Sequence, residues 1–320
     1  MMYVLITIFL FFAEIIFFKV ADHYNIIDKP NSRSSHTETT IRGGGIIFWI
    51  SALIYFVFFD YEYLYFFIGL SLVTFISFLD DILTLSNRYR LPFQFIAIGL
   101  VLYQLHFFDY PLWAYLIVMI VGVGIINAYN FMDGINGITS GYSTIVILAL
   151  MFVNNYHIAF IENDFLIFTL LGLMVFNYFN FRTKARCFAG DVGSISIAVI
   201  ILFLLLKLIL QEQNLIYILF LSVYGVDSVL TIIHRLFLKE NIFKAHRLHL
   251  FQVLVNNMKI PHLLMSSIYM FIQSIICAIV IFSLKYPINT QLIMSVCIIV
   301  LLAILYIIVK RKVMALTVSV

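Results

Sequence analysis

Residues 192–210 read VGSISIAVIILFLLLKLIL, and this stretch decides the fold. A helix needs roughly 20 apolar residues to cross a bilayer, and this run approaches that length with a single charged residue, Lys207. The rest of the chain has the same character, since 63% of its 320 residues are apolar and 11% are charged. Because about a quarter of the residues in a soluble domain are charged, the composition predicts an integral membrane protein.

Apolar blocks of this kind recur along the whole chain. Two of them, 93–107 and 142–154, are short enough to be tilted, partly buried or re-entrant segments rather than full crossings. The sequence shows neither a soluble domain between these blocks nor an internal repeat. Residues 1–320 are therefore predicted to form a single all-α membrane domain with about 10 to 11 transmembrane helices. The candidate spans are 2–20, 45–60, 63–79, 93–107, 112–127, 142–154, 164–181, 192–210, 215–233, 262–283 and 290–309.

The basic residues predict the orientation of the chain in the membrane. If the N-terminus lies outside, 17 of the 19 Lys and Arg residues fall in segments that face the cytoplasm. The other two are Lys207 and Lys285. Because cytoplasmic loops carry an excess of Lys and Arg, this orientation is favoured, and it places the C-terminus in the cytoplasm. The predicted cytoplasmic segments are 19–44, 80–92, 128–141, 182–191, 234–261 and 310–320.

Polar residues gather in five clusters, all on the predicted cytoplasmic side. The first is DKPNSRSSH at 28–36, which contains Lys29, followed by RGGG at 42–45. Glycines at a helix N-terminus let backbone N–H groups approach an anion such as phosphate. The alternative is a basic loop with an ordinary turn.

The second cluster is the pair Asp80 and Asp81, followed by Arg88 and Arg90. Adjacent carboxylates at a membrane boundary repel each other and are costly to desolvate. They are stable if a cation lies between them, which could be Arg90 or a metal ion that arrives with a substrate. The alternative is a pair of solvated residues at a helix end.

The third cluster is NAYNFMDGING at 127–137. Asn127, Asn130 and Asp133 are spaced by three, so a helix would place them on one face, and the two glycines around Asn136 predict a helix end. Carboxylate and carboxamide oxygens are ligands that Mg²⁺ prefers. The alternative is an ordinary loop, although this segment carries no Lys or Arg.

The fourth cluster begins at Asn180, continues through a basic loop and ends in FAGDVGS at 188–194. Its carboxylate, Asp191, lies between glycines where the next helix begins. Asp191 could be a metal ligand with glycines that clear space for phosphate oxygens. The alternative is a helix N-cap.

The fifth cluster is HRLH at 246–249. His246 and His249 flank Arg247 and Leu248, a combination suited to a diphosphate or to sugar hydroxyls. A zinc site would need further Cys or His ligands, and a solvated basic loop is the other alternative. Together the five clusters combine oxygen ligands for Mg²⁺ with cations and glycine loops. They predict a site for a metal-bound pyrophosphate at the membrane boundary, and hence a lipid as the other substrate.

In their order and number, these motifs resemble those of the polyprenyl-phosphate N-acetylhexosamine-1-phosphate transferases. The resemblance spans about residues 28 to 252 and is most specific in NFMDGING and GDVGS. It implies that undecaprenyl phosphate attacks the β-phosphorus of a UDP-N-acetylhexosamine, with Mg²⁺ (or Mn²⁺) as cofactor, and that UMP is released. It also implies an enzyme of the bacterial inner membrane, with its active site on the cytoplasmic face, that initiates O-antigen, capsule or cell-wall polysaccharide synthesis.

The resemblance also implies roles for individual residues. Asp191 would be the principal Mg²⁺ ligand and Asn130 a second one. Asp80 and Asp81 would bind or deprotonate the lipid phosphate, and Asp133 would line the nucleotide-sugar site. The candidate catalytic residues are thus Asp80, Asp81 and Asp133, and the candidate substrate-binding residues are Lys29, Arg90, Asn127, Asn136, Asn180, His246, Arg247 and His249.

Two departures from the family pattern concern the sugar. The peptidoglycan branch usually shows a histidine run in the last loop and a TMGG-like segment early on, where this chain has HRLH and IRGGG. The chain is therefore more similar to the O-antigen and capsule-initiating branch, which includes members using N-acetylfucosamine or N-acetylquinovosamine. A muramoyl-pentapeptide product is not expected, and the sugar stays open.

Two other classes of protein compete with this interpretation. A transporter or flippase of lipid-linked or phosphorylated substrates would need charges at mid-membrane depth lining a cavity. Within the predicted spans lie Glu14, Lys207 and Asp227, none with a partner evident from the sequence. A structural scaffold would leave the metal-ligand chemistry unexplained. Besides its substrates and the lipid bilayer, no nucleic acid partner is expected, and a homodimer is left open.

Overall fold

The computed structural model describes residues 1–28, 39–241 and 247–318, and these ranges are mostly helical. Two short strands, β1 (Ile27–Asp28) and β2 (Thr40–Ile41), pair antiparallel with Ile27 opposite Ile41. A 3₁₀ turn covers Phe107–Asp109, and a 3₁₀ helix at Leu215–Leu221 runs directly into α9. The helices are α1 (Met2–His23), α2 (Ile46–Phe58), α3 (Leu64–Leu83), α4 (Asn87–Gln104), α5 (Leu112–Met132), α6 (Ile138–Tyr156), α7 (Asn163–Asn180), α8 (Gly190–Glu212), α9 (Ser222–Phe237), α10 (Leu250–Met258), α11 (His262–Ser283) and α12 (Ile288–Val318).

The predicted all-α polytopic membrane fold is confirmed. Each of the eleven predicted spans coincides with a helix, and eight helical stretches are long and apolar enough to cross a membrane. The span predicted at 142–154 is part of the 19-residue α6, which is one of the eight. The span predicted at 93–107 belongs to α4, whose polar first turn contains Arg88 and Arg90. Helix α10, between the HRLH motif and α11, is an element that the apolar blocks do not predict.

Helix α8 forms the centre of the molecule. It is apolar on all sides, and it is buried over most of its length between α2, α3, α5 and α6. Near the C-terminal end of α8, the ammonium of Lys207 lies 4.8 Å from the centre of the Tyr63 ring. At the opposite extreme, α12 exposes most of its apolar surface, as expected of a helix that faces lipid. The N-terminus of α8, which carries Asp191, therefore lies at the middle of one end of the helix bundle.

Candidate active site

Three carboxylates converge at the N-terminus of α8. Asp80 and Asp81 lie in the last turn of α3, and Asp191 lies in the first turn of α8. Asp81 accepts hydrogen bonds from the backbone N–H groups of Asp191 (2.9 Å) and Val192 (3.0 Å). A carboxylate in this position satisfies two orphan donors of the helix and opposes the positive end of its dipole. The alternative interpretation of Asp191 as a helix N-cap is wrong, because the N-cap of α8 is Ala189 and the helix begins at Gly190.

Two arginines each form ion pairs with two of the three carboxylates. The Nε of Arg42 lies 2.6 Å from Asp81 Oδ1, and its Nη2 lies 3.0 Å from Asp191 Oδ1. Arg90 Nη1 lies 2.6 Å from Asp80 Oδ2 and also contacts Asp191 Oδ2. Both oxygens of Asp191 thus face a guanidinium. Arg90 was among the candidates from sequence, whereas Arg42 was not, because it reads as one more basic residue ahead of a glycine run.

Arg42 is expected to be important for stability as well as for charge balance. The side chain of Asp81 is fully buried, and removing one partner of a buried ion pair costs about 3 kcal/mol or more. The Arg42→Gln variant should therefore lose about 3 kcal/mol of unfolding free energy, and Arg42→Lys, which keeps one charge, should lose less. Chemical denaturation of the purified protein in detergent would measure both. Equal stability of Arg42→Gln and wild type would contradict this role.

The glycines of the RGGG motif pack closely against neighbouring backbone and do not leave a space in which an anion could bind. The N–H groups of Gly44 and Gly45 donate to the carbonyls of Phe188 (3.0 Å) and Ala189 (3.1 Å). The expectation that these two groups bind an anion is therefore wrong. Gly190 has φ +70°, and a Cβ there would lie 2.5 Å from Asp81 Oδ2. The turn before α8 thus needs glycine for its backbone conformation and for space.

Asn130 and Asp133 come from the neighbouring end of α5. The amide of Asn130 donates to Ser194 Oγ (3.2 Å), one turn beyond Asp191 on α8. Helix α5 ends at Met132, and Asp133 follows it as the C-terminal cap, half-buried. Loss of hydration raises the pKa of Asp133 to about 7. Asn130 is thus close enough to Asp191 to share a ligand with it, and it lies near a carboxyl whose pKa is raised.

Two other candidates, Asn136 and Asn180, hold backbone in place. The amide of Asn136 donates to the carbonyl of Arg182 (2.7 Å). Asn180 donates to the carbonyl of Cys187 (2.7 Å) and accepts from the N–H of Gly137 (2.7 Å). These bonds fix the loop between α7 and α8 against the start of α6. The structure therefore gives both residues a supporting role beneath the site.

Asn127 lies one turn before Asn130 on α5. Its amide donates to Gln94 Oε1 (2.8 Å) and to the carbonyl of Val123 (2.8 Å). It borders an apolar groove of about 550 Å³ that runs between α5, α9 and α12, with Phe131 at the same end. The groove brings an apolar surface up to the end of α5 that carries Asn130 and Asp133.

The last predicted cluster lies partly within the described residues. His249 is buried, and its Nδ1 lies 3.2 Å from Asp227 Oδ1. Its ring lies beside that of Phe131, at 6.4 Å between centroids, so His249 borders the same end of α5. Arg247 is half-buried just before α10. Lys29 and His246 lie outside the described residues.

The donor set suits a hard divalent cation. Carboxylates of α3 and α8 and the carboxamide of Asn130 are oxygen donors, which Mg²⁺ prefers to nitrogen or sulfur. Within the described ranges, no three His, Cys, Asp or Glu side chains form a ready-made metal cage. Mg²⁺ is usually held by one or two carboxylates together with substrate phosphates, and Asp191 with Asn130 fits that mode.

Comparison with known proteins identifies a consistent set of relatives. Residues 63–209 match the family described as glycosyl transferase family 4. A probable undecaprenyl-phosphate N-acetylglucosaminyl 1-phosphate transferase of Bacillus subtilis is 26% identical over 254 residues, which is 72% of this chain and 70% of that protein. An undecaprenyl-phosphate alpha-N-acetylglucosaminyl 1-phosphate transferase of Thermotoga maritima is 26% identical over 282 residues, 82% of this chain and 84% of that protein.

A relative with a different name matches over a shorter stretch. The phospho-N-acetylmuramoyl-pentapeptide-transferase of Deinococcus radiodurans is 37% identical over 91 residues, 28% of this chain and 26% of that protein. The relatives that match most of the chain are thus named for N-acetylglucosaminyl 1-phosphate transfer. The family resemblance drawn from the motifs is confirmed.

Proposed function

We propose that this chain is a polyprenyl-phosphate N-acetylhexosamine-1-phosphate transferase, which transfers N-acetylhexosamine-1-phosphate from a UDP-sugar to undecaprenyl phosphate and releases UMP. One observation supports this above all: carboxylates and arginines from separate parts of the chain meet at the N-terminus of α8, beside an apolar groove. The sugar is N-acetylglucosamine or a 6-deoxy relative such as N-acetylfucosamine or N-acetylquinovosamine. The product initiates O-antigen, capsule or cell-wall polysaccharide synthesis at the cytoplasmic face of the bacterial inner membrane.

Phosphoryl transfer depends mainly on positioning and on neutralising charge, and the site offers both. Asp191 and Asn130 are the residues that would hold Mg²⁺, which neutralises diphosphate oxygens when bound. Arg42 and Arg90 are placed to hold phosphate oxygens by charge-assisted hydrogen bonds. The phosphate of the lipid is already ionised near neutral pH, so the reaction does not require a strong general base.

Asp80 and Asp81 then serve to bind or to deprotonate the lipid phosphate. Asp81 accepts two backbone N–H groups of α8 and an arginine, so its first role is to orient the helix N-terminus. Asp80, paired with Arg90, is the better candidate for a proton acceptor. Turnover near the wild-type level in Asp80→Asn would exclude that chemical role for it.

The apolar groove fits the tail of the lipid. Its walls are almost wholly apolar, and its volume of about 550 Å³ admits several isoprene units beside the charged site. On α9, Gly225 lines this groove, and a Cβ added there meets no atom within 4 Å. A larger side chain at this position would therefore occupy space that the tail needs.

The Gly225→Leu variant tests the groove. We expect it to raise KM for undecaprenyl phosphate about tenfold, the equivalent of about 1.4 kcal/mol of lost apolar contact, with little change in KM for the UDP-sugar. A short-chain polyprenyl phosphate that does not reach the groove should be affected much less. Equal effects on the long and the short lipid would show that the tail binds elsewhere.

The charges inside the spans do not favour the transporter alternative. Glu14 lies 3.5 Å from the sulfur of Cys187, Lys207 faces the Tyr63 ring, and Asp227 pairs with His249. Each is thus engaged by protein groups, whereas a transport path needs charges that face a cavity. The charged groups that lie close to one another, the aspartates and arginines at the N-terminus of α8, are at one end of the helix bundle. This placement is what an enzyme site requires.

The decisive experiment is transfer of radiolabelled sugar-1-phosphate to undecaprenyl phosphate by the purified full chain. UDP-N-acetylglucosamine would be compared with its 6-deoxy relatives, each with and without Mg²⁺. A labelled lipid product together with UMP, formed only with Mg²⁺, is the expected result, and the rates identify the sugar. If folded protein gives no product from any of these sugars, the transporter interpretation returns.

A further inference from the structure

A buried carboxylate outside the converging aspartates holds His249. Asp227 lies in α9, is 2% exposed, and receives hydrogen bonds on both oxygens. Its Oδ1 accepts from the N–H of Leu250 (3.0 Å) and faces His249 Nδ1 (3.2 Å), and its Oδ2 accepts from the hydroxyl of Tyr269 (2.6 Å). Asp227 thus joins α9, the start of α10 and α11 at one point.

A directed chain of donors ends on the same carboxylate. The ammonium of Lys310, which is 4% exposed, has hydrogens only to give, so it donates to the hydroxyl of Tyr306. Thr231 Oγ1 lies 2.7 Å from the hydroxyl of Tyr306, 3.2 Å from Asp227 Oδ1 and 3.4 Å from the carbonyl oxygen of Leu248. When Thr231 donates its single hydrogen to Asp227, its oxygen accepts from Tyr306. Lys310 and Tyr306 belong to α12, so the C-terminal helix is linked to Asp227 as well.

This arrangement fixes where the proton on the imidazole lies. Asp227 is surrounded by donors, which is stable only if it is an acceptor on both oxygens, that is, an ionised carboxylate. Nδ1 of His249 must therefore carry a hydrogen that points at Asp227. In a neutral ring the other nitrogen, Nε2, is then an acceptor, whereas a free imidazole more often protonates Nε2.

His249 also lies where its orientation matters for the proposed reaction. Its ring contacts those of Phe131 and Phe251, and Phe251 packs on Gly134, next to Asp133. We propose that Asp227 is a positioning residue, which holds His249 in its Nδ1–H form toward the nucleotide sugar, with Thr231, Tyr306 and Lys310 as its support. The part of this proposal that concerns the nucleotide sugar rests on the proposed function.

The proton position can be measured without any turnover. Full-length protein labelled with ¹⁵N-histidine in detergent shows separate nitrogen resonances for the two ring forms, and the His249 signals are identified by their loss in His249→Gln. We expect Nδ1–H in the wild type and a shift to Nε2–H in Asp227→Ala. Asp227→Asn should keep Nδ1–H, because the N–H of Leu250 and the hydroxyl of Thr231 favour an amide oxygen at the Oδ1 position.

Tyr269→Phe is the matched control, since it removes a donor to Asp227 and leaves the contact with His249 intact. It should retain the wild-type ring form. An Nε2–H ring in the wild type, or in Asp227→Asn, would overturn the proposal. These outcomes do not depend on whether the chain transfers a sugar phosphate.

Kinetics then test whether Asp227 acts through His249. Loss of a group that orients a functional side chain typically costs about 10- to 100-fold in activity, and we expect that loss in kcat/KM for Asp227→Ala. The double variant Asp227→Ala/His249→Ala should lose no more kcat/KM than His249→Ala alone, because Asp227 would act only by orienting His249. Fully additive losses would mean that Asp227 is merely structural.

Discussion

Replacing Asp191 with asparagine is expected to lower sugar-phosphate transfer by about 10³-fold or more. The carboxylate lies at the middle of the site, with Arg42 on one oxygen and Arg90 on the other, and it is the principal candidate ligand for Mg²⁺. Stabilisation of transition-state charge by a metal is worth several kcal/mol, and each 1.36 kcal/mol corresponds to about a tenfold change in rate. Turnover of radiolabelled UDP-sugar by purified protein measures the loss.

Asp164→Asn provides the matched control. Asp164 starts α7, which ends at the site, so it lies at the far end of the bundle, where it accepts a hydrogen bond from Tyr3 (2.6 Å). It should retain wild-type turnover. Binding of Mn²⁺, followed by its electron paramagnetic resonance, should weaken in Asp191→Asn and be unchanged in the control. Normal Mn²⁺ binding by Asp191→Asn would assign the metal to other ligands.

The fold could be predicted from the sequence because the bilayer demands long apolar helices. Residues 192–210 predict a membrane-spanning helix, and α8 is that helix. What the apolar blocks miss is α10, since nine residues of amphipathic helix leave no such signal. They also miss the polar ends of helices, such as the last turn of α5, because hydropathy falls there while the helix continues to Met132.

The site could be predicted less completely. The order of the motifs identified the aspartates that meet at α8. It did not reveal that Asp81 caps α8, which is distant in the sequence. A capping residue is normally sought within a few residues of the helix that it caps. Arg42 was missed since any basic residue in a cytoplasmic loop satisfies the positive-inside rule. Asp227 had no evident partner because His249 and Tyr269 approach it from other helices.

A glycine contact at the start of α2 and α8 explains how the ionic groups are brought so close. A Cβ on Gly45 would lie 2.3 Å from the Cα of Gly193 and 2.8 Å from the carbonyl oxygen of Ala189, and neither is the end of a flexible side chain. Any larger residue at Gly45 must therefore move one helix away from the other. Since Arg42 precedes α2 and Asp191 lies in the first turn of α8, that movement stretches the contact between them.

We accordingly expect Gly45→Ala to be costly although it adds only one methyl group. Overpacking costs about 1 to 3 kcal/mol of unfolding free energy, and a misplacement of about 1 Å at a reacting centre can cost about 100-fold in rate.

Gly99→Ala is the control, because its Cβ would meet only Met119 Cε, at 3.9 Å. Since alanine favours a helix over glycine by about 1 kcal/mol, this control should be as stable as wild type or more so. Denaturation and turnover, measured on the same preparations, separate the two effects. If Gly45→Ala were as stable and as active as Gly99→Ala, close approach of α2 and α8 would not be what assembles the site.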